Sequence, residues 1–464
     1  MVCDWEIIHD RATSSARIGR FVLRHRYVIL TLVYVAVHLW LFVTALPITG
    51  RPSGAPDPIT FELGGQFLAT GRIPYVDLFD IKPPLVHLIP GILATGIHFL
   101  GSPGFGYLDA LVLHTASVLL TLGMTLVALF LITDLVDDIT DDRLAALAAG
   151  FVPLTCPIFY MAGIGGFRPK TMALVAGLLS VRWLSRQRWL WAGLAAACAP
   201  ALWQFGLVFP LFAVGIAHRS GRTALKRVLA GGAIITTVTL APFALNGIPA
   251  LRAILVEVVL LPFVVRPVRE PTGTFSHVTR LISYLGWEGF CVLLVGTVGA
   301  LLYPIQRRFR ASTTEVSELS VPDVDVWVAI VVGVFSIQAM VVDGRGLTDS
   351  TMWVGFASVG VGLLIAQLNN RRFRQLFVVG IVVIGIVAFL TDAVTAFYGW
   401  RWVTQPEASY KRVATVYWHT SSIDTCHIRR AGDERTFVRL MGGSLSDQVC
   451  GQYSIDSMIR SLIP

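Results

Sequence analysis

Long apolar runs, divided by short polar ones, set the organisation of this 464-residue chain. They recur at residues 27–46, 107–133, 144–162, 171–185, 189–203, 205–217, 229–245, 281–303, 326–342, 352–368 and 375–394. A helix needs roughly 20 apolar residues to cross the hydrocarbon of a bilayer, and most of the runs approach that length. The pattern predicts an all-α polytopic membrane protein of about eleven transmembrane helices. The pair covering 189–217 is short for two crossings, and a single crossing there would leave one of its basic flanks outside. Residues 84–100 are also apolar, but His87, Pro90, Gly91, Gly96 and His98 interrupt them. This block is expected to be an interfacial or re-entrant helix. Beyond Thr395 the residues turn polar and aromatic, which predicts a small extracellular domain or tail over 396–464.

Composition agrees. A mean hydropathy of +0.68 with 55% hydrophobic residues excludes a soluble globular domain. The first 26 residues are polar and Arg-rich, and the run after them is long enough to span, so it reads as an anchor and not a cleavable signal. The net charge of +8 raises nucleic acid as a partner, but the basic residues are not gathered on one face. No nucleic-acid partner is expected. Six cysteines stand without C-x-x-C spacing, which argues against a zinc or redox site. Cys426 and Cys450 lie in the polar tail, where an outer location would allow a disulfide and a reducing one would not.

Charge fixes a topology. Basic clusters occur at Arg11 to Arg26, at Arg182, Arg186 and Arg188, and at Arg219, Arg222, Lys226 and Arg227. Two more follow, at Arg307, Arg308 and Arg310 and at Arg371, Arg372 and Arg374. Cytoplasmic loops carry such excesses, so all five are placed inside. The expected plan is a cytoplasmic segment 1–26, a transmembrane domain 27–395 and the extracellular tail 396–464. Within it, an outer loop at 47–83 leads into the interfacial helix 84–100. One stretch is out of character: residues 134–143 (DLVDDITDDR) are acidic, yet parity assigns them to the cytoplasm. Acidic residues weigh little in the rule, so the assignment stands. Residues 163–170, 246–280 and 343–351 then share the outer compartment, and the apolar helical pattern at 251–265 suits an interfacial helix against lipid.

The first outer loop concentrates the chemistry. Residues 57–91 read DPITFELGGQFLATGRIPYVDLFDIKPPLVHLIPG, in a chain with only 14% charged residues. Ionisable groups beside a bilayer are costly and mark function by default. Taken singly, Glu62, Asp77 and Asp80 are as readily explained as solvated loop residues. Their clustering with Asp57, Lys82 and a Pro83–Pro84 stop is more than a wet loop requires. Moving a sugar off a lipid phosphate needs a carboxylate to take the acceptor's proton and cations to stabilise the departing phosphate. Asp57 is the candidate general base. Lys82, one of four lysines in the chain, suits a point-charge contact to phosphate, held near the surface by the rigid prolines.

The stretch 71–85 (GRIPYVDLFDIKPPL) resembles the first outer loop of class-C integral-membrane glycosyltransferases. These include the protein mannosyltransferases and the aminoarabinose transferases that act on lipid A. The resemblance implies Asp57 as the catalytic carboxylate and Lys82 as a polyprenyl-phosphate contact. It implies that Tyr75, Asp77 and Asp80 shape the loop or the sugar pocket. A weaker match is 193–205, where the family has a glycine-rich helix ending in Lys-Gln; here Trp203–Gln204 stands, so Gln204 is a candidate cavity residue without the cation. The next outer loop departs further. Many relatives carry a second acidic residue there, whereas this chain has Arg168 and Lys170, which are either added donor-phosphate contacts or ordinary helix-end charges. Asp349, on the late outer loop, is a further pocket candidate. No metal and no cofactor is implied.

The low lysine content and paired aspartates are reminiscent of a salt-adapted archaeon, whose similar proteins include dolichyl-phosphate-mannose mannosyltransferases. The leading expectation is mannose transfer from a dolichyl- or polyprenyl-phosphate donor to a glycan or glycoprotein acceptor, in protein N-glycosylation or a surface glycan. The membrane supplies the lipid. An outer loop excludes a cytosolic nucleotide sugar as the natural donor. The alternative from another class is a secondary transporter of a polar or lipid-linked solute, which predicts paired repeats and charges at the midplane. A non-catalytic scaffold using its tail to bind partners is the third reading.

Overall fold

The computed structural model describes residues 21–49, 56–75, 82–100, 107–156, 159, 165–260, 274–311, 324–342 and 349–399. Among them every regular element is a helix. The chain runs through α1 (Arg26–Thr49), α2 (Pro56–Ala69), α3 (Leu85–Leu100), α4 (Tyr107–Thr140) and α5 (Arg143–Phe151). It continues with α6 (Pro169–Ser185), α7 (Trp189–Leu202), α8 (Val208–Ser220), α9 (Arg222–Ala244) and α10 (Ile248–Ile254). The last group is α11 (Thr274–Leu285), α12 (Trp287–Ala311), α13 (Val324–Ile337), α14 (Thr351–Gln367) and α15 (Arg371–Gly399). Where they are described, the eleven apolar runs fall mainly on helix, and the chain is a polytopic membrane protein. Four segments, Val112–Thr140, Arg222–Ala244, Trp287–Phe309 and Arg371–Leu390, are long and apolar enough to cross a bilayer by length and composition. Others are shorter because the chain breaks within the run. Pro153 sits in the 3-10 turn that ends α5, and a 3-10 turn at Gln204–Leu207 divides α7 from α8. The tail 396–464 lies almost wholly outside the described residues, as does the end of the stretch expected to lie on lipid from Leu251 onward.

One unit comprises Met1–Gly50, Thr125–Met161 and Val278–Tyr398. Its helix α14 is apolar on every side, and fourteen of its seventeen residues are buried, as expected of a helix enclosed by others. The indole N–H of Trp353 donates to Thr297 Oγ1 at 2.9 Å and ties α14 to α12. The acidic stretch finds its explanation here. Asp137 pairs with Arg26, Asp134 accepts from the Tyr27 hydroxyl, and Asp142 pairs with Arg374. Asp142 also caps α5, accepting from the backbone N–H of Leu144 and Ala145. The acids thus meet two of the basic clusters instead of standing apart from them. Arg307 pairs with Asp325 at 3.2 Å in the same manner.

The other unit comprises Arg51–Met124, Ala162–His277 and Gly399–Pro464. Within the segment expected as an outer loop at 47–83, residues 56–69 form α2. Pro56 and Pro58 fall in its first turn, where a missing N–H costs nothing. Gly64 and Gly65, which look like turn formers, instead let α2 press on α3. A Cβ at Gly65 would stand 2.6 Å from the Pro90 carbonyl carbon, and one at Gly64 would collide with the His87 ring. Pro83 and Pro84 are likewise a start and not a stop. Their carbonyls accept from the N–H groups of Val86, His87 and Leu88 and open α3.

Candidate functional site

Of the residues singled out, Asp57 and Glu62 lie on α2, Tyr75 and Lys82 between α2 and α3, Arg168 and Lys170 at the start of α6 and Gln204 after α7, all within the second unit. Asp57 is the second residue of α2; only its backbone is described. Asp77 and Asp80 lie outside the described residues.

Glu62, one and a half turns along α2, is not the solvated loop residue it looks like in sequence. It is 3% exposed. His114 Nδ1, from α4, lies 2.9 Å from its Oε2 and 3.2 Å from its Oε1, so the imidazole N–H donates to the carboxylate. The backbone N–H of Phe167 donates to Oε1 at 3.3 Å. Phe61, beside it, sets its ring edge-on to both His87 and Phe167. A buried charge needs such partners, because desolvation is expensive and an unpaired carboxylate would be strongly destabilising. Spacing alone could not join residues 52 positions apart.

Tyr75 fixes the far side of the loop. It is fully buried, among Phe243, Ala250, Ile254 and Val258, with its ring edge-on to His87 and Phe243. Its hydroxyl donates to the Lys82 carbonyl at 2.7 Å, which ties Tyr75 to the residue before the two prolines that open α3. The backbone of Tyr75 stands at φ +71°, a left-handed conformation that a bulky residue adopts only under constraint. Lys82 itself is half-buried, followed by two buried prolines.

Gly166, Phe167 and Arg168 form the third part. The Thr121 hydroxyl donates to the Gly166 carbonyl at 3.0 Å and accepts from the Arg168 N–H at 3.2 Å. Gly166 is required here: its φ is +113°, and a Cβ would stand 2.7 Å from Glu62 Oε1, 2.9 Å from Pro58 Cβ and 3.0 Å from His114 Cε1. Arg168 then caps α6 in extended conformation, with Pro169 at the first helical position. The Arg168 side chain is buried and within electrostatic reach of His114. Lys170 Nζ lies 5.4 Å from the centre of the Trp203 ring, a cation–π distance. Gln204 opens the 3-10 turn after Trp203 and is half-buried. Asp349 belongs to the other unit, where it is buried just before α14.

This arrangement can hold an anion. Two cations, Arg168 and Lys170, stand at the amino end of α6, where the helix dipole favours negative charge. Glu62 is already committed to an imidazole and a backbone N–H. Among the described residues no three His, Cys, Asp or Glu side chains gather as metal ligands.

Residues 71–241 match a family model described as DolP-mannose mannosyltransferase. A dolichol phosphate-mannose mannosyltransferase of Haloferax volcanii is 23% identical over 451 residues, covering 87% of this chain and 92% of that protein. The solved structure of ArnT from Cupriavidus metallidurans bound to undecaprenyl phosphate aligns at a TM-score of 0.45 and 15% identity, over 89% of this chain and 78% of ArnT. The family match begins at Gly71, inside the loop motif, and takes in Tyr75, Lys82, Arg168, Lys170 and Gln204. Asp57 and Glu62 precede it.

Proposed function

We propose that this class-C integral-membrane glycosyltransferase moves mannose from a dolichyl- or polyprenyl-phosphate donor to a glycan acceptor on the outer face of the membrane. The family match and the Haloferax volcanii relative support the donor class and the sugar, and an archaeal relative fits the expectation drawn from composition. The observation that carries the reading is the packing of the Gly166–Arg168 turn onto the first turns of α2. Gly166 lies against Pro58, the neighbour of Asp57, while Phe167 donates to Glu62. A carboxylate and a cationic helix end thereby belong to one local assembly, which is what departure of a lipid phosphate and attack by a sugar hydroxyl require together.

In this reading Asp57 takes the proton of the acceptor hydroxyl as it attacks the anomeric carbon. Lys82, Arg168 and Lys170 stabilise the charge that collects on the departing phosphate. Tyr75, with Asp77 and Asp80, shapes the loop over the sugar, and Gln204 contributes a polar contact to the pocket. The pairing of residues 134–142 with Arg26 and Arg374 supports a cytoplasmic location for that stretch, and hence an outer location for the loop bearing Asp57. Asp57→Asn keeps the side chain's size and removes the base. Transfer is expected to fall by about 10²–10⁴-fold, the contribution of a positioned general base, with membrane insertion and melting unchanged. Full glycan extension by the folded variant would sink the assignment.

A further inference from the structure

We infer that Glu62 and His114 are positioning residues that hold Arg168 in place for the phosphate of the lipid donor. The inference rests on the reading of Arg168 as a donor-phosphate contact. Three observations carry it. First, the Gly166 carbonyl, the Phe167 N–H and the Arg168 N–H are all engaged, by Thr121, Glu62 and Thr121 in turn. Side chains from α2 and α4 therefore hold the turn that launches Arg168. Second, the packing around Gly166 leaves no slack, since even a methyl group there would meet Glu62, Pro58 and His114 at 3.0 Å or less. A shift of the Glu62 carboxylate must move the turn with it. Third, Glu62 and His114 are 3% exposed each. Buried ion pairs are seldom better for stability than the apolar residues that could replace them, so an expensive pair at this position is better explained by the geometry it specifies.

The consequence is that Glu62 and Thr121 act on the donor only through Arg168. The test uses the full-length protein in nanodiscs and measures binding of a polyprenyl monophosphate, with the neutral polyprenol as control. Glu62→Gln removes the charge of the pair. Thr121→Val keeps the shape and removes the hydroxyl bridge, and it decides the matter if the first variant fails to fold. Each is expected to raise the Kd for the polyprenyl monophosphate about fivefold, the effect of one lost hydrogen bond, with polyprenol binding unchanged. In an Arg168→Gln background neither should weaken binding further. Wild-type affinity in both folded variants would overturn the inference, and so would losses that multiply with that of Arg168→Gln. Binding that behaves as expected in a protein that transfers no sugar would uphold the positioning role and reject the proposed reaction instead.

Discussion

A single hydroxyl shows how closely the loop is tied at the level of residues. Tyr75 is buried in an apolar nest, and its one polar atom reaches the carbonyl of Lys82. The left-handed backbone of Tyr75 costs on the order of 1–3 kcal/mol, so the surrounding packing must hold it there. Tyr75→Phe keeps the ring and loses the tether, worth about 1 kcal/mol. Steady-state kinetics should show the donor KM rising about fivefold while kcat changes less, because the tether places Lys82 and makes no bond to the reacting atoms. Equal falls in kcat and kcat/KM would instead assign Tyr75 to the transition state. Tyr75 and Lys82 were legible in the sequence as part of one loop motif. Glu62 was not: its identity as an acid in a polar-looking loop suggested solvation, and its burial depends on His114 and Phe167, which arrive from distant segments.

Helices were read well where apolar periodicity was long and poorly where proline and glycine intervened. The runs at 107–133 and 375–394 correspond to α4 and α15, with α4 extending to Thr140 because its terminal aspartates find cationic and hydroxyl partners. α2 escaped notice because Pro56, Pro58, Gly64 and Gly65 all weigh against helix in a local count. Tertiary contact reverses that weighting. The prolines occupy the first turn, and the glycines are the surface through which α2 meets α3 at backbone distance. Gly65→Val should therefore destabilise the protein by about 1–3 kcal/mol through overpacking, although valine and glycine differ little in charge or polarity. A lowered melting temperature of the detergent-solubilised protein checks this. An unchanged one would mean that the two helices do not touch at Gly65.

At the scale of the molecule, the charge pattern was more informative than any span boundary. The positive-inside rule assigned an acidic stretch to the same side as five basic clusters, and that stretch pairs with Arg26 and Arg374. Apolar run lengths alone could not say as much, because only four described segments meet the length and composition of a full crossing. The same parity is the ground on which an outer location of the α2 segment, and with it a lipid-borne donor, is proposed. That claim is tested most directly with the purified protein in liposomes, supplied with its glycan acceptor and labelled mannose on either dolichyl phosphate or a nucleoside diphosphate. The account predicts acceptor labelling from dolichyl-phosphate mannose, abolished by Asp57→Asn, and none from the nucleotide sugar. Transfer from the nucleotide sugar alone, or passage of dolichyl-phosphate mannose across the bilayer without any glycosylated product, would contradict it.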